Sequence, residues 1–278
     1  GQTVLGGTFM MNHGGKGANQ AVAVARLGGN VSFISKIGDD AFGKQSVDMF
    51  RQEGIDTSHI FTDMKHPSGI ALITVDKNGE NCIVVASGAN GNLNKEDINK
   101  VLNLVEDAEI LLLQLEIPLE TVEYVAKIAN KKGVKVILNP APATSLPDSL
   151  FESLYAIIPN ETEAEILSGI EIVDWETAQK AANKIAEKGV EVVVITLGAK
   201  GALIKDGGNF YGASVEKVDV VDTTAAGDTF CGAFCVALSE GRSVLDAVEF
   251  ANQAAGIAVT RAGAQNSIPY RQELKVEV

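Results

Sequence analysis

The chain has 278 residues, 46% hydrophobic and 21% charged, the size of one large α/β domain or two small ones and the composition of a soluble globular protein. With 36 acidic residues against 23 basic, its formal charge is −13. Such a surface repels nucleic acid and anionic membrane, so neither is expected as a partner, and a polyphosphate ligand would have to be held by backbone amides and metal.

In chain order, residues 3–12 mix apolar and polar side chains around a Gly6-Gly7 break, the pattern of a bent, exposed strand. GGKGANQ at 14–20 then opens AVAVARLG, whose alanines and Leu27 fit a closely packed helix. A glycine cluster before a helix resembles a phosphate cradle, but the spacing is neither GxGxxG nor GxxxxGK followed by Ser or Thr. Lys16, Asn19 and Gln20 beside bare backbone suit a ligand with many hydroxyls better than a dinucleotide. Residues 31–35 are a short β-rich run, and 41–53 read as a helix ended by Gly54. From 59 to 85 the texture is strand–turn–strand, SGIALITV and ENCIVV around a turn at 76–79. A hairpin inserted in an α/β chain reads as a lid or, equally, as a surface decoration.

After Asn94 the chain alternates as βαβ units do. Residues 110–114 form a strand, 119–132 a helix, and 134–138 a strand followed by NPAPA. Residues 156–158 lead into PNETEAE, helical from Thr162; 177–188 are an amphipathic helix, 192–196 an apolar strand, 197–201 a glycine-bearing turn, and 243–260 a long alanine-rich helix. With no repeat or linker, the expectation is a single α/β domain over 1–278 with a mostly parallel central sheet and a small β-sheet lid built from 1–13 and 59–85. Ligands in open parallel sheets bind beyond the carboxyl ends of the strands. Glu116, Asn160 and Gly198 each follow a strand and so fall on that edge.

The stretch with the strongest chemical signal is DTTAAGDTFCGA at 222–233. Ala225, Ala226 and Gly227 precede Asp228, and an apolar helical run follows. Free N–H groups in a helix's first turn, together with the helix dipole, make an anion hole. A lone Asp at a helix start is usually a cap, yet a cap does not require small residues before it, whereas close approach of a ligand to backbone does. The amides are therefore read as holding a transferring phosphoryl group while Asp228 takes a proton from the attacking hydroxyl. The cysteines, Cys82, Cys231 and Cys235, lack framework spacing, so reduced thiols in a cytoplasmic protein are expected. No run reaches membrane-spanning length and no signal peptide is visible.

Two stretches, GGKGANQAVAVARLGG and DTTAAGDTFCGAF, resemble the signatures of the ribokinase-type (PfkB) carbohydrate kinases, over essentially the whole chain. PNETEAE resembles the family's NxxE element and ITLGAKGA its nucleotide loop, while LLLQLEIPLE, LNPAPA and VTRAGAQNSIP are most similar to members that phosphorylate D-ribose to ribose 5-phosphate. The resemblance implies a three-layer ribokinase-like fold, Asp228 as general base and residues 225–227 as the anion hole. It implies sugar contacts from Gly15, Lys16, Gly17, Ala18 and Asn19, with Glu116 on the other side. Asn160, Thr196, Leu197, Gly198, Ala199, Lys200, Gly201, Gly227 and Asn252 match ATP-binding positions. Glu163 matches the acid that arranges Mg²⁺ through water, consistent with that ion's reluctance to shed its shell. Asp222, Thr224, Ala258, Arg261, Gly263 and Ser267 match a loop for a monovalent cation, K⁺, and a homodimer paired through the lid sheet is implied as well.

Two departures stand out. The anion hole reads AAGD where many relatives have GAGD, and the family's first strand, with its Asn-x-Asp sugar motif, has no counterpart, an absence expected to weaken sugar binding and stability. The competing readings are another kinase of the family, acting on deoxyribose, fructose or adenosine, and a non-catalytic sugar-binding relative. A dinucleotide-binding dehydrogenase is disfavoured because no GxGxxG follows a strand.

Overall fold

Caps, glycines and apolar runs set the element boundaries. The structure, a computed structural model, describes residues 6–7, 11–75 and 81–275. Helix α1 (Lys16–Arg26) opens at Gly15, whose φ of 94° glycine adopts without strain. Next come β1 (Ser35–Gly38), α2 (Ala41–Gln52), capped by the Asp40 carboxylate, and β2 (Ile60–Asp63), which pairs in parallel with β1. Strands β3 (Ile70–Val75) and β4 (Asn81–Ala86) form an antiparallel hairpin that stands as its own sheet.

Two short helices, α3 (Lys95–Asn99) and α4 (Leu102–Glu106), lead to β5 (Ile110–Leu113). The alternating part follows: α5 (Leu119–Lys131), β6 (Lys135–Leu138), α6 (Asp148–Phe151), β7 (Ala156–Ile157), α7 (Glu161–Ser168), α8 (Trp175–Ala186) and β8 (Val192–Thr196). The chain then makes a hairpin of β9 (Ala202–Asp206) and β10 (Asn209–Ala213) and closes with helices α9 (Ala226–Ser239) and α10 (Val244–Ala258).

The central sheet runs β10-β9-β8-β7-β6-β5. Strands β5 to β8 are parallel, and β9 and β10 add an antiparallel edge. Parallel strands are covered on both faces and therefore read as unbroken apolar runs, as ILLL and VVVIT do. One face packs Val122, Val125, Ala182 and Ile185 of α5 and α8; the other packs Phe230, Phe234, Val248 and Ala251 of α9 and α10. This is the expected mostly parallel α/β sheet between helical layers, with a small separate sheet.

The differences from sequence expectation are local. The β9–β10 hairpin was not anticipated, although its Gly207-Gly208 turn is a recognisable hairpin signal. The run at 31–35 becomes a strand only from Ser35, Ser32 making an isolated bridge to Asp56. Within the proposed lid segment 59–85, Ile60–Asp63 pairs with β1 and the hairpin proper starts at Ile70. The strand expected at 3–12 and the turn at 76–79 fall largely outside the described residues.

Candidate active site

Helix α9 begins at Ala225, which holds φ 60° and ψ 9° and caps the helix with no side-chain hydrogen bond. Ala225 is the one non-glycine residue at positive φ among those described. A β-carbon in that conformation costs about 1–2 kcal/mol, and such strain concentrates where function demands a backbone shape. Among the described residues no side chain caps the first-turn amides of α9, so the N-terminal end of the helix dipole is open to an anion.

Asp228, one turn in, is only 6% exposed. Asn19 Nδ2 donates to its Oδ2 at 2.9 Å and Gln20 Nε2 to its Oδ1 at 3.0 Å. Both donors sit on α1, and glycine lets α1 come this close to α9. A β-carbon on Gly232 would lie 2.6 Å from Ala23 Cβ and 2.9 Å from the Gln20 carbonyl. Asn19 Oδ1 is buried without a partner among the described residues, an acceptor open to a further donor.

A cavity of about 190 Å³ gathers Lys16, Asn139, Asn160, Glu163, Thr196, Thr223, Ala225, Gly227 and Asp228. Glu116 stands beside the start of α1, where its Oε2 accepts the Lys16 backbone N–H at 2.7 Å. Burial pushes the Glu116 carboxyl above its usual range, the Lys16 amide and ammonium pull it back, and Asp228 adds repulsion. Glu163 is raised for the same leading reason, burial, opposed by the Asn160 N–H and Lys16 and reinforced by Asp228. Thus Glu116 and Glu163 each feel the Asp228 carboxylate, with Lys16 as the cation near both.

Asn160 and Glu163 form a reciprocal capping box at the start of α7: Glu163 N–H donates to Asn160 Oδ1 at 2.8 Å and Asn160 N–H to Glu163 Oε2 at 2.9 Å. The helix-start role and the site role therefore coincide, since the box fixes one carboxylate oxygen and the residue still lines the cavity. Asn160 also bridges to Thr196 at the end of β8. Beyond it, Gly198 and Gly201 take φ 56° and 91°, and a β-carbon on Gly201 would collide with the Ala213 carbonyl. Leu197, Ala199 and Lys200 lie on the same tight turn, which begins one residue past the strand's carboxyl end.

The other sequence-derived residues are placed as follows. Asn252 is buried and donates to the carbonyls of Ala213 and Ser214, tethering the loop after β10 rather than lining the cavity. Asp222 accepts the Thr224 N–H at 2.8 Å and the Gly263 N–H at 2.9 Å, joining the segments 222–224 and 258–267. Burial raises the Asp222 carboxyl, but these hydrogen bonds outweigh it and hold the group below its usual range. Ser267 is fully buried and donates to Ala264, Ala258 is buried, and Arg261 pairs with Glu273. Sequence reasoning missed Asn139 and Gln114, both tied to Gln20. Their position just after β6 and β5, inside LNPAPA and LLLQLEIPLE, was the available signal.

The profile for the pfkB family of carbohydrate kinases matches residues 1–271. The chain is 50% identical over 273 residues to a ribokinase of Haemophilus influenzae, covering 98% of this chain and 89% of that one. It is 36% identical over 270 residues to a deoxyribokinase of Salmonella typhi, covering 97% and 88%. Its fold superposes on Arabidopsis thaliana ribokinase complexed with ribose and ATP with a TM-score of 0.87 at 36% identity, over 93% of this chain and 85% of that one.

Proposed function

This chain belongs to the pfkB family of carbohydrate kinases, and we propose that it transfers the γ-phosphoryl group of ATP to D-ribose, giving ribose 5-phosphate. The observation that carries this reading is the Asp228 carboxylate, held on both oxygens by Asn19 and Gln20 at the start of an uncapped helix. The preference for ribose rests on the 50% identity to a protein named ribokinase; the deoxyribokinase relative makes deoxyribose the alternative acceptor.

In this reading the sugar hydroxyl loses its proton to Asp228 as its oxygen forms a bond to the γ-phosphorus, and the bond from that phosphorus to the departing ADP oxygen breaks. The amides of residues 225–228 and the Lys16 ammonium meet the charge on the transferring group. Hydroxyl recognition falls to the residues at 15–19 and to Glu116, with the unpartnered Asn19 Oδ1 as one acceptor. Asn160, Thr196 and the turn at 197–201 form the nucleotide side.

Glu163 offers a buried oxygen suited to a hard cation and would hold Mg²⁺ through water; bound there, the ion neutralises phosphate charge. The Asp222-linked loops would hold K⁺ largely through backbone carbonyls. Among the described residues no group of three or more His, Cys, Asp or Glu could hold a metal, in keeping with a cation met by backbone and water. The exposed apolar face of the hairpin fits pairing with a second copy. A cytoplasmic setting suits the three unbridged cysteines, and no helix among the described residues is long and apolar enough to cross a membrane. The charge of −13 argues against nucleic acid or an anionic membrane as partner. A panel of D-ribose, 2-deoxyribose, fructose and adenosine with Mg-ATP, read by ADP release, tests the proposal: ribose should give the highest kcat/KM, and a higher value for any other acceptor would reassign the substrate.

A further inference from the structure

Gln20 lies in the second turn of α1 and is 1% exposed. Its side-chain NH₂ makes two hydrogen bonds, one to Asp228 Oδ1 at 3.0 Å and one to Asn139 Oδ1 at 3.1 Å. Its Oε1 accepts from Gln114 Nε2. Asn139 is oriented in turn, because its Nδ2 donates to the Ile158 carbonyl at 3.0 Å. The amides therefore form a chain with one polarity, fixed at the Ile158 end by a carbonyl that can only accept. Turning the Gln20 amide over would set its oxygen against the Asp228 carboxylate and its NH₂ against the Gln114 donor, so the network permits one orientation.

We propose that Gln20 is the positioning residue of the general base: oriented by Gln114 and Asn139, it locks the Asp228 carboxylate so that its remaining lone pairs face the cavity. The inference deepens the phosphotransfer reading and rests on it. Asn19 alone leaves the carboxylate able to pivot about the Oδ2 contact; the second donor on Oδ1 removes that freedom. Misplacement of a reacting group by a fraction of an ångström is costly to rate and nearly neutral to substrate binding.

The test is Gln20→Leu, which keeps the bulk and removes the donors, with Gln114→Leu as a second variant that leaves every atom touching Asp228 in place. Loss of a hydrogen bond to a charged group corresponds to roughly a 10- to 100-fold change. Gln20→Leu should lower kcat by about that factor with the KM values for sugar and ATP little changed, and Gln114→Leu should lower kcat less. The charged and titratable groups facing Asp228 are Lys16 on α1, Glu116 after β5, Glu163 on α7 and Cys231 on its own helix; none is altered in either variant. Unchanged kcat in either variant, or a fall in kcat matched by a comparable rise in the KM for sugar or ATP, overturns the proposal while wild-type transfer stands. A wild-type enzyme that transfers phosphate to no sugar overturns both readings.

Discussion

Gly232 of α9 and Ala23 of α1 approach so closely that a β-carbon on the glycine would lie 2.6 Å from that of Ala23. The obstruction is not confined to a movable side chain, since the Gln20 carbonyl would be 2.9 Å away. The one pair of helices whose contact brings the amide donors of residues 19 and 20 to Asp228 is thus spaced by a glycine.

Gly232→Val should push the two helices apart. Overpacking of this kind costs about 1–3 kcal/mol, and each 1 kcal/mol lowers the melting temperature by roughly 2–4 °C at this size. Because the separation also withdraws Asn19 and Gln20 from the carboxylate, kcat should fall in the fraction that remains folded. A variant with wild-type melting and wild-type kcat would show that the helix spacing does not set the site.

Ala225→Gly should stabilise the protein. Ala225 holds φ 60° with a β-carbon, a strain of about 1–2 kcal/mol, partly offset in the variant by the larger entropy glycine loses on folding. The expected gain is up to about 1 kcal/mol, read as a higher melting temperature with kcat retained. A lower melting temperature would mean that the alanine methyl makes contacts worth more than its strain.

Activity should be higher in potassium than in sodium. Asp222 ties the segment leading to Ala225 to Gly263 by paired hydrogen bonds, so a cation seated between these loops stiffens the backbone that aims the first-turn amides. Rates compared at saturating concentrations and matched ionic strength decide it; equal rates would remove the cation from the account.

The hairpin should pair with that of a second copy. Leu72 and Val84, opposite each other on one face of the hairpin, are 61% and 60% exposed, and an apolar patch of this kind is covered in a stable protein by another surface. Light scattering should give twice the chain mass, and Leu72→Lys with Val84→Lys should return the monomer. A monomeric wild type at every concentration would contradict this.

How much of this was legible in the sequence follows from the range of the interactions. Elements fixed by local pattern are legible: Val192–Thr196 was read to the residue, and the α9 run was found although its start was placed after Asp228 instead of at Ala226, because burial of a parallel strand and a glycine-led helix start each leave a contiguous signature. Asp228 and the small residues before it belong to the same class. Gln114 and Asn139 do not: they reach Gln20 across 94 and 119 residues, and a neutral amide after a strand carries no sign of its partner. The strain at Ala225 was likewise invisible, since alanine is the residue least suggestive of a left-handed backbone. Glu163 joins a local and a long-range role that the sequence could not show together: it closes the capping box at the start of α7 and also lines the cavity beside Asp228.

The central claim, that Asp228 takes the proton of the sugar hydroxyl, is tested most directly by Asp228→Asn assayed for phosphoryl transfer beside calorimetric nucleotide binding. General-base assistance contributes about 10²- to 10⁴-fold, so kcat should fall by that factor while the affinity for ATP stays near wild type. A variant that keeps more than about a tenth of wild-type kcat, well short of that range, would show that the carboxylate serves the structure of the helix start and not the chemistry.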